Sequence, residues 1–171
     1  AGTHNVAGIV GRGVACELAK KNQAEEYVYL RKLRDKLENG IKELVPEIKL
    51  NGHPNPDLRL PNTLNISFAY IEGESLLLNF DMKGIAASSG SACTSGSLEP
   101  SHVMGAMCVD VVLAHSSTRF SLGADNTEED VDFILQELPP IVQRLREMSP
   151  LYNREDDAPI SCEECRVIRR V

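Results

Sequence analysis

A single thiol, Cys93, lies at the centre of the small-residue run SSGSACTSGS at positions 88–97, and it is the side chain best suited to covalent chemistry. Gly and Ser tolerate many backbone conformations, so the run predicts an exposed, mobile loop over residues 88–99. An inert core cysteine would instead sit among Val, Leu and Ile. A thiolate on a mobile loop suits a nucleophile that collects a group at one place and delivers it at another. The alternative is a linker that happens to contain a cysteine.

Composition excludes several classes of function. The chain has 171 residues, of which 42% are hydrophobic and 25% charged, as is ordinary for one soluble globular domain. The net charge of −7 and the absence of Trp argue against a nucleic-acid surface. No stretch predicts a membrane span or a signal peptide. The five scattered cysteines do not form a secreted disulfide framework, so we expect a reducing, cytoplasmic location.

Apolar spacing predicts an α+β fold. We expect long helices, laid as one layer over one face of a small, mainly antiparallel sheet. The predicted helices cover residues 5–21, 24–44, 73–81 and 100–107, and the predicted strands cover 63–68, 85–87 and 116–121.

Two helices carry more specific expectations. The first, at 5–21, should bury one apolar face with Cys16 in the core. The last should begin at a capping box formed by Thr127 and Asp130, and Pro139–Pro140 should kink or break it. Charge and proline replace periodicity from residue 153, which predicts a disordered tail over 153–171.

Several separate motifs, in order along the chain, resemble those of cysteine desulfurases of the iron–sulfur-assembly type. The active-site loop of that family resembles residues 84–95 and 98–101, and its next hallmark resembles AHSSTRFSLG at 114–123. Further similarity covers residues 2–5, 8–11, 127–130 and 145–152. The resemblance therefore runs from the first residues to about Tyr152.

This resemblance implies a fold and a domain organisation. Such desulfurases are pyridoxal-phosphate enzymes with a two-domain, class V aminotransferase fold, and their chains are more than twice as long. The chain looks like the C-terminal part, with residues 1–22 as a helix leading to the large domain and 23–152 as the small domain.

The resemblance also implies roles for three residues. Cys93 would attack the sulfur of a cofactor-bound cysteine, leaving a Cys93 persulfide and L-alanine. Arg119 would hold the substrate carboxylate, for which a planar guanidinium is well shaped. Thr3 would bind the cofactor phosphate of the neighbouring subunit of a homodimer. An iron–sulfur scaffold or another acceptor protein would then take the sulfur.

The family's cofactor lysine has no counterpart among the lysines of this chain, which are Lys20, Lys21, Lys32, Lys36, Lys42, Lys49 and Lys83. We therefore expect no turnover by the chain alone and no bound pyridoxal phosphate, which leaves open whether it is an enzyme by itself. The alternative function is a non-catalytic persulfide carrier or scaffold-docking module.

Two residues depart from the family pattern, and one cysteine pair lies outside the matched region. Cys108 stands where a glycine is common, and Thr118 stands where an apolar residue is expected. Cys162 and Cys165 form a CxxC outside the matched region, and one such pair supplies only two of the four ligands of a structural metal site. We predict no metal site and keep Cys162 and Cys165 as the candidate ligands of a third possibility, a metal or redox module.

Overall fold

The structure, a computed structural model, describes residues 2–89, 101–150 and 152. Its helices are α1 (Val6–Leu44), α2 (Gly73–Asp81), α3 (His102–Ala106), α4 (Val111–His115) and α5 (Glu128–Met148). Its strands are β1 (Ile48–Leu50), β2 (Thr63–Phe68), β3 (Ser88–Ser89) and β4 (Ser117–Ser121), and a 3-10 turn covers Pro56–Leu58. Cys93, Cys162, Cys165 and the predicted tail lie outside the described residues.

The four strands form one antiparallel sheet in the order β1-β2-β4-β3. Alternate residues of β2 and β4 face a layer of helices, and α1 and α2 both contact the sheet while packing against α5. The predicted α+β architecture is confirmed. The bounds of β2 and α2 agree with the predicted 63–68 and 73–81.

The core lies between the sheet and the second half of α1, with α2 and α5. Leu33, Leu37 and Ile41 of α1 are fully buried and follow one another at steps of four residues. The rings of Phe80 on α2 and Phe120 on β4 meet edge to face with centroids 5.9 Å apart. These contacts hold β4, the strand that carries Arg119, against the helical layer.

The first half of α1 differs from the prediction. Helices expected at 5–21 and 24–44 are one continuous helix, and its first half is exposed, including Val6, Val10 and Leu18, each more than half exposed. Cys16 is exposed as well, so its assignment to the core was wrong. The apolar residues in the first half of α1 have the spacing of a buried helix face. Nothing in the described part of the chain packs against that face.

Helix α5 continues through Pro139 and Pro140, so of the predicted kink or break, the break was wrong. Leu138, Ile141 and Val142 are buried on both sides of the prolines, and this packing holds the helix together despite the missing amide donors. The capping box at its start is confirmed: Thr127 Oγ1 accepts from the Asp130 amide at 3.2 Å, and Asp130 Oδ2 accepts from the Thr127 amide at 2.9 Å.

Strand β3 lies at Ser88–Ser89 rather than at the predicted 85–87, because Ile85 turns into the core after Gly84, whose φ is +74°. The first two residues of the predicted loop are therefore in the sheet. Within the described ranges, no helix combines the length and apolarity that a membrane span requires.

Candidate functional site

The sheet face that does not meet the core helices is polar. Leu64, Ile66 and Phe120 point into the core, so the residues alternating with them occupy the opposite face. These residues are Thr63, Asn65, Ser67, Ser117, Arg119, Ser121 and, across from Arg119, Ser88. Ser67 and Ser117 are buried at one end of the face, whereas Arg119 is exposed.

Four side chains form one row across this polar face. Asn65 on β2 lies opposite Arg119 on β4, and Arg119 lies opposite Ser88 on β3. Asn51, just after β1, completes the row because its amide donates to the Asn65 carbonyl at 2.9 Å. The row therefore crosses the whole sheet and ends at the strand that leads toward Cys93.

The pairing of Asn65 with Arg119 is of the type that brings side chains close together. Ladder bonds join Phe68 to Ser116 at 3.3 Å and Leu122 to Asn62 at 2.8 Å. Hydrogen-bonded and non-hydrogen-bonded pairs alternate along an antiparallel ladder. The register between these two bonds therefore makes Asn65 and Arg119 a non-hydrogen-bonded pair. Such pairs have Cα atoms about 4.5 Å apart and the closer side chains of the antiparallel ladder.

The side chain of Arg119 makes no hydrogen bond or ion pair with any described residue. Other arginines of the chain are engaged: Arg34 binds Asp35 at 2.6 Å, and Arg146 binds the Pro46 carbonyl at 2.8 Å. An exposed guanidinium without a carboxylate partner is a ready donor to a planar anion.

Thr3 lies far from this row along the chain. It precedes α1, whose first buried residue is Leu30. The 24 residue steps from Val6 to Leu30 span about 36 Å of helix. The structure therefore does not bring Thr3 and Arg119 together within one chain, and a shared role would need a second subunit.

The two departures from the family pattern have structural counterparts. Cys108 has a φ of +54°, the left-handed region that glycine favours, which agrees with a position where glycine is common. Thr118 is fully buried, and its hydroxyl has no hydrogen-bond partner in the described part of the chain.

None of the seven lysines fits a covalent holder for pyridoxal phosphate, which requires a desolvated amine of lowered pKa. Lys42 pairs with Glu38 at 2.5 Å and Lys83 with Glu137 at 2.8 Å. Asp132, 2.6 Å from Lys36, raises the pKa of that amine instead of lowering it. Lys20, Lys21 and Lys32 are exposed, and Lys49 is half-buried on the polar face. The residues present therefore do not fit the cofactor's covalent attachment.

Metal binding has no support in the described ranges, where no cluster of three His, Cys, Asp or Glu side chains could hold an ion.

Sequence reasoning singled out Arg119 as a candidate but not Asn51 or Asn65, which lie in the same row. The alternation of β2 places Asn65 on the polar face, but only the strand register sets it beside Arg119. Asn51 follows a strand of three residues that carried no clear pattern.

Comparison with known proteins agrees with the motifs. A family model described as Aminotransferase class-V matches residues 1–134. The chain is 54% identical over 152 residues to the cysteine desulfurase IscS of Clostridium botulinum, covering 89% of this chain and 38% of the relative. It is also 54% identical over 153 residues to the cysteine desulfurase NifS of Azotobacter vinelandii, covering 90% and 38%.

A solved structure of a NifS-like protein superposes with a TM-score of 0.72 at 35% identity, covering 85% of this chain and 36% of that one. The chain thus spans 38% of the length of the two curated relatives.

Proposed function

Because the chain belongs to the aminotransferase class-V family, we propose that it forms the C-terminal part of a cysteine desulfurase. The complete enzyme would convert L-cysteine to L-alanine, with the sulfur held as a persulfide on Cys93. One observation carries this proposal: Arg119, whose guanidinium has no partner among the described residues, lies on a polar sheet face directly opposite Ser88, the first residue of the strand that leads to Cys93.

Arg119 would bind the carboxylate of L-cysteine. An arginine can donate two parallel hydrogen bonds to a carboxylate, which fixes the orientation as well as the position of the amino acid. Its neighbours on the same face are neutral hydroxyls and amides together with Lys49, so none of these side chains competes as an anion.

Cys93 would take the sulfur. Cys93 follows Ser89 by four positions in the sequence, and four extended residues span at most about 14 Å. Since Ser88 pairs with Arg119, this tether keeps the thiol within reach of an amino acid bound at Arg119. Attack by the thiolate forms the S–S bond as the C–S bond of the substrate breaks.

The remaining roles belong to the complete homodimer. Pyridoxal phosphate would be attached to a lysine outside this chain, and Thr3 would bind its phosphate across the subunit interface. The persulfide would pass to an iron–sulfur scaffold or another acceptor protein. A reducing compartment such as the cytoplasm would keep Cys93 available as a thiol.

Mass spectrometry of the complete enzyme after incubation with L-cysteine tests this function. Cys93 should gain one sulfur atom, and Cys93→Ser should abolish both that adduct and alanine formation. Arg119→Leu should raise KM for L-cysteine by more than tenfold, because a charge-assisted contact is lost. A persulfide that forms on another cysteine, or an unchanged KM, would contradict the proposal. The 171-residue chain with added pyridoxal phosphate should release no more sulfide than its Cys93→Ser variant.

A second candidate is favoured by the absence of a suitable lysine. The chain by itself could act as a persulfide carrier that docks on an acceptor without generating the persulfide. Treatment with a small-molecule persulfide should then label Cys93 in preference to Cys16 and Cys108, both of which are exposed. Uniform labelling of the cysteines would count against a carrier role.

A further inference from the structure

The side-chain amide of Asn65 is held in one orientation by Asn51. Asn51 is 7% exposed, and its Nδ2 donates to Asn65 Oδ1 and to Ser67 Oγ, both at 2.8 Å. Both hydrogens of this Nδ2 are therefore used, and one of the two lone pairs of Asn65 Oδ1 is occupied. Because Oδ1 and Nδ2 are opposite arms of a planar amide, Nδ2 of Asn65 turns away from β1, toward the side on which β4 lies.

That Nδ2 group has no hydrogen-bond partner in the described part of the chain. Arg119, its cross-strand partner, is likewise without one. Two side chains that carry donors thus form one cross-strand pair on this face, and neither Asn65 Nδ2 nor the Arg119 guanidinium is hydrogen-bonded to a described residue. Donors arranged this way are satisfied together by one anion with at least two acceptor oxygens, and a carboxylate is the smallest common group of that kind.

We propose that Asn65 is a second donor to the amino-acid carboxylate, and that Asn51 is the residue that positions it. This inference rests on the proposed function, since it concerns the same carboxylate that Arg119 would bind. Arg119 supplies the positive charge that attracts the carboxylate, whereas the fixed amide of Asn65 sets the orientation in which the carboxylate binds. A neutral donor adds a hydrogen bond without the desolvation cost that a second cation would carry.

Nuclear magnetic resonance of the isotopically labelled chain tests this with a matched pair of probes. L-alanine, the proposed product, and ethylamine share an ammonium and a methyl group, and only L-alanine carries a carboxylate. L-alanine should shift the Arg119 Nε–H and the Asn65 Nδ2 resonances with one common Kd, whereas ethylamine should shift neither. The side-chain amides of Asn79 and Asn126 serve as internal controls, because both are engaged elsewhere.

Three variants distinguish a positioning role of Asn51, exerted through Asn65, from a general loss of structure. Asn65→Leu should weaken L-alanine binding about tenfold, the worth of one hydrogen bond to a charged group. Asn65→Asp should abolish binding, because the new carboxylate would pair with Arg119 itself. Asn51→Leu should weaken binding less than Asn65→Leu does, and the double variant should bind no more weakly than Asn65→Leu, since Asn51 acts only through Asn65. Backbone spectra report whether each variant keeps the fold.

Each outcome decides between the two proposals. A response of Arg119 without Asn65, or an unchanged Kd in Asn65→Leu, overturns the role of Asn65 and leaves the proposed function standing. A response of neither side chain to L-alanine removes Arg119 as the carboxylate site, and both proposals then fail.

Discussion

Arg146 on α5 donates a hydrogen bond from Nε to the backbone carbonyl of Ala69, 3.2 Å away and just beyond the end of β2. Its Nη2 also donates to the carbonyls of Pro46 at 2.8 Å and Glu47 at 3.1 Å. Burial lowers the pKa of Arg146, and the Glu47 carboxylate partly opposes that effect. One buried cation therefore joins the last helix to the segment between α1 and β1 and to the end of β2.

We expect Arg146→Met to lower the free energy of unfolding by about 2–4 kcal/mol, because buried carbonyls would lose their donor while the side-chain volume is kept. Urea denaturation followed by circular dichroism measures this. Arg144→Met is the matched control: Arg144 is exposed and contacts only Asn79 among the described residues, so its loss should change stability by less than about 0.5 kcal/mol. Equal effects of the two substitutions would contradict a structural role for Arg146.

Thr118→Val should stabilise the chain by about 1 kcal/mol. The Thr118 hydroxyl is buried with no partner in the described part of the chain, so a methyl group of similar size removes a desolvation cost. Ser116→Ala provides the contrast, because the equally buried Ser116 hydroxyl donates to the Leu113 carbonyl at 3.0 Å. That substitution should destabilise by a similar amount. Thermal unfolding of both variants tests the difference in sign.

Gly73→Ala should destabilise the chain by about 1–3 kcal/mol through overpacking. A Cβ at Gly73 would lie 2.8 Å from the His115 carbonyl oxygen and 3.4 Å from that of Ser117, and backbone atoms cannot move aside as a flexible side chain can. Gly105 lies in α3 with open space around it, so Gly105→Ala should stabilise by up to about 1 kcal/mol. Chemical denaturation should therefore move the two midpoints in opposite directions.

Local patterns predicted the elements that pack against the core. The alternation in β2, the apolar spacing of α2 and the capping box of α5 each carry their own signal, and each of these elements buries one face. The first half of α1 has the same kind of apolar spacing but is exposed. Periodicity indicates that a helix face is suited to burial, but it does not identify the surface that buries it.

The candidate site was only partly predictable, because a site depends on register. Arg119 could be identified from its motif, but its position opposite Asn65 and Ser88 follows from pairings between distant segments. Such pairings are set by the turns and by core packing of the whole sheet. The lack of a carboxylate partner for Arg119 among the described residues is likewise a property of the assembled sheet, and it is the property that makes Arg119 available for a ligand.

The acid stability of the chain should depend on Glu38, a buried residue of α1 that lies between the cations of Lys42 and Arg59. Burial raises the pKa of Glu38, but hydrogen bonds from Arg59 and Lys42 outweigh it, and the net pKa lies below the ordinary value. The carboxylate therefore stabilises the fold fully above its unfolded pKa of about 4.5, and this contribution is lost as the pH falls through the lower folded pKa. In Arg59→Met one of the two opposing cations is gone, so the pKa of Glu38 should rise.

The variant should accordingly be less stable than wild type at neutral pH, and the gap should narrow on acidification from about pH 6 to pH 3, as Glu38 becomes protonated in both proteins. Unfolding midpoints measured across that range give the comparison. Arg144→Met removes an exposed arginine that contacts Asn79 and no carboxylate among the described residues, so its curve should stay parallel to that of wild type. A constant gap between wild type and Arg59→Met at every pH would show that Arg59 stabilises the fold by packing and not through the charge of Glu38.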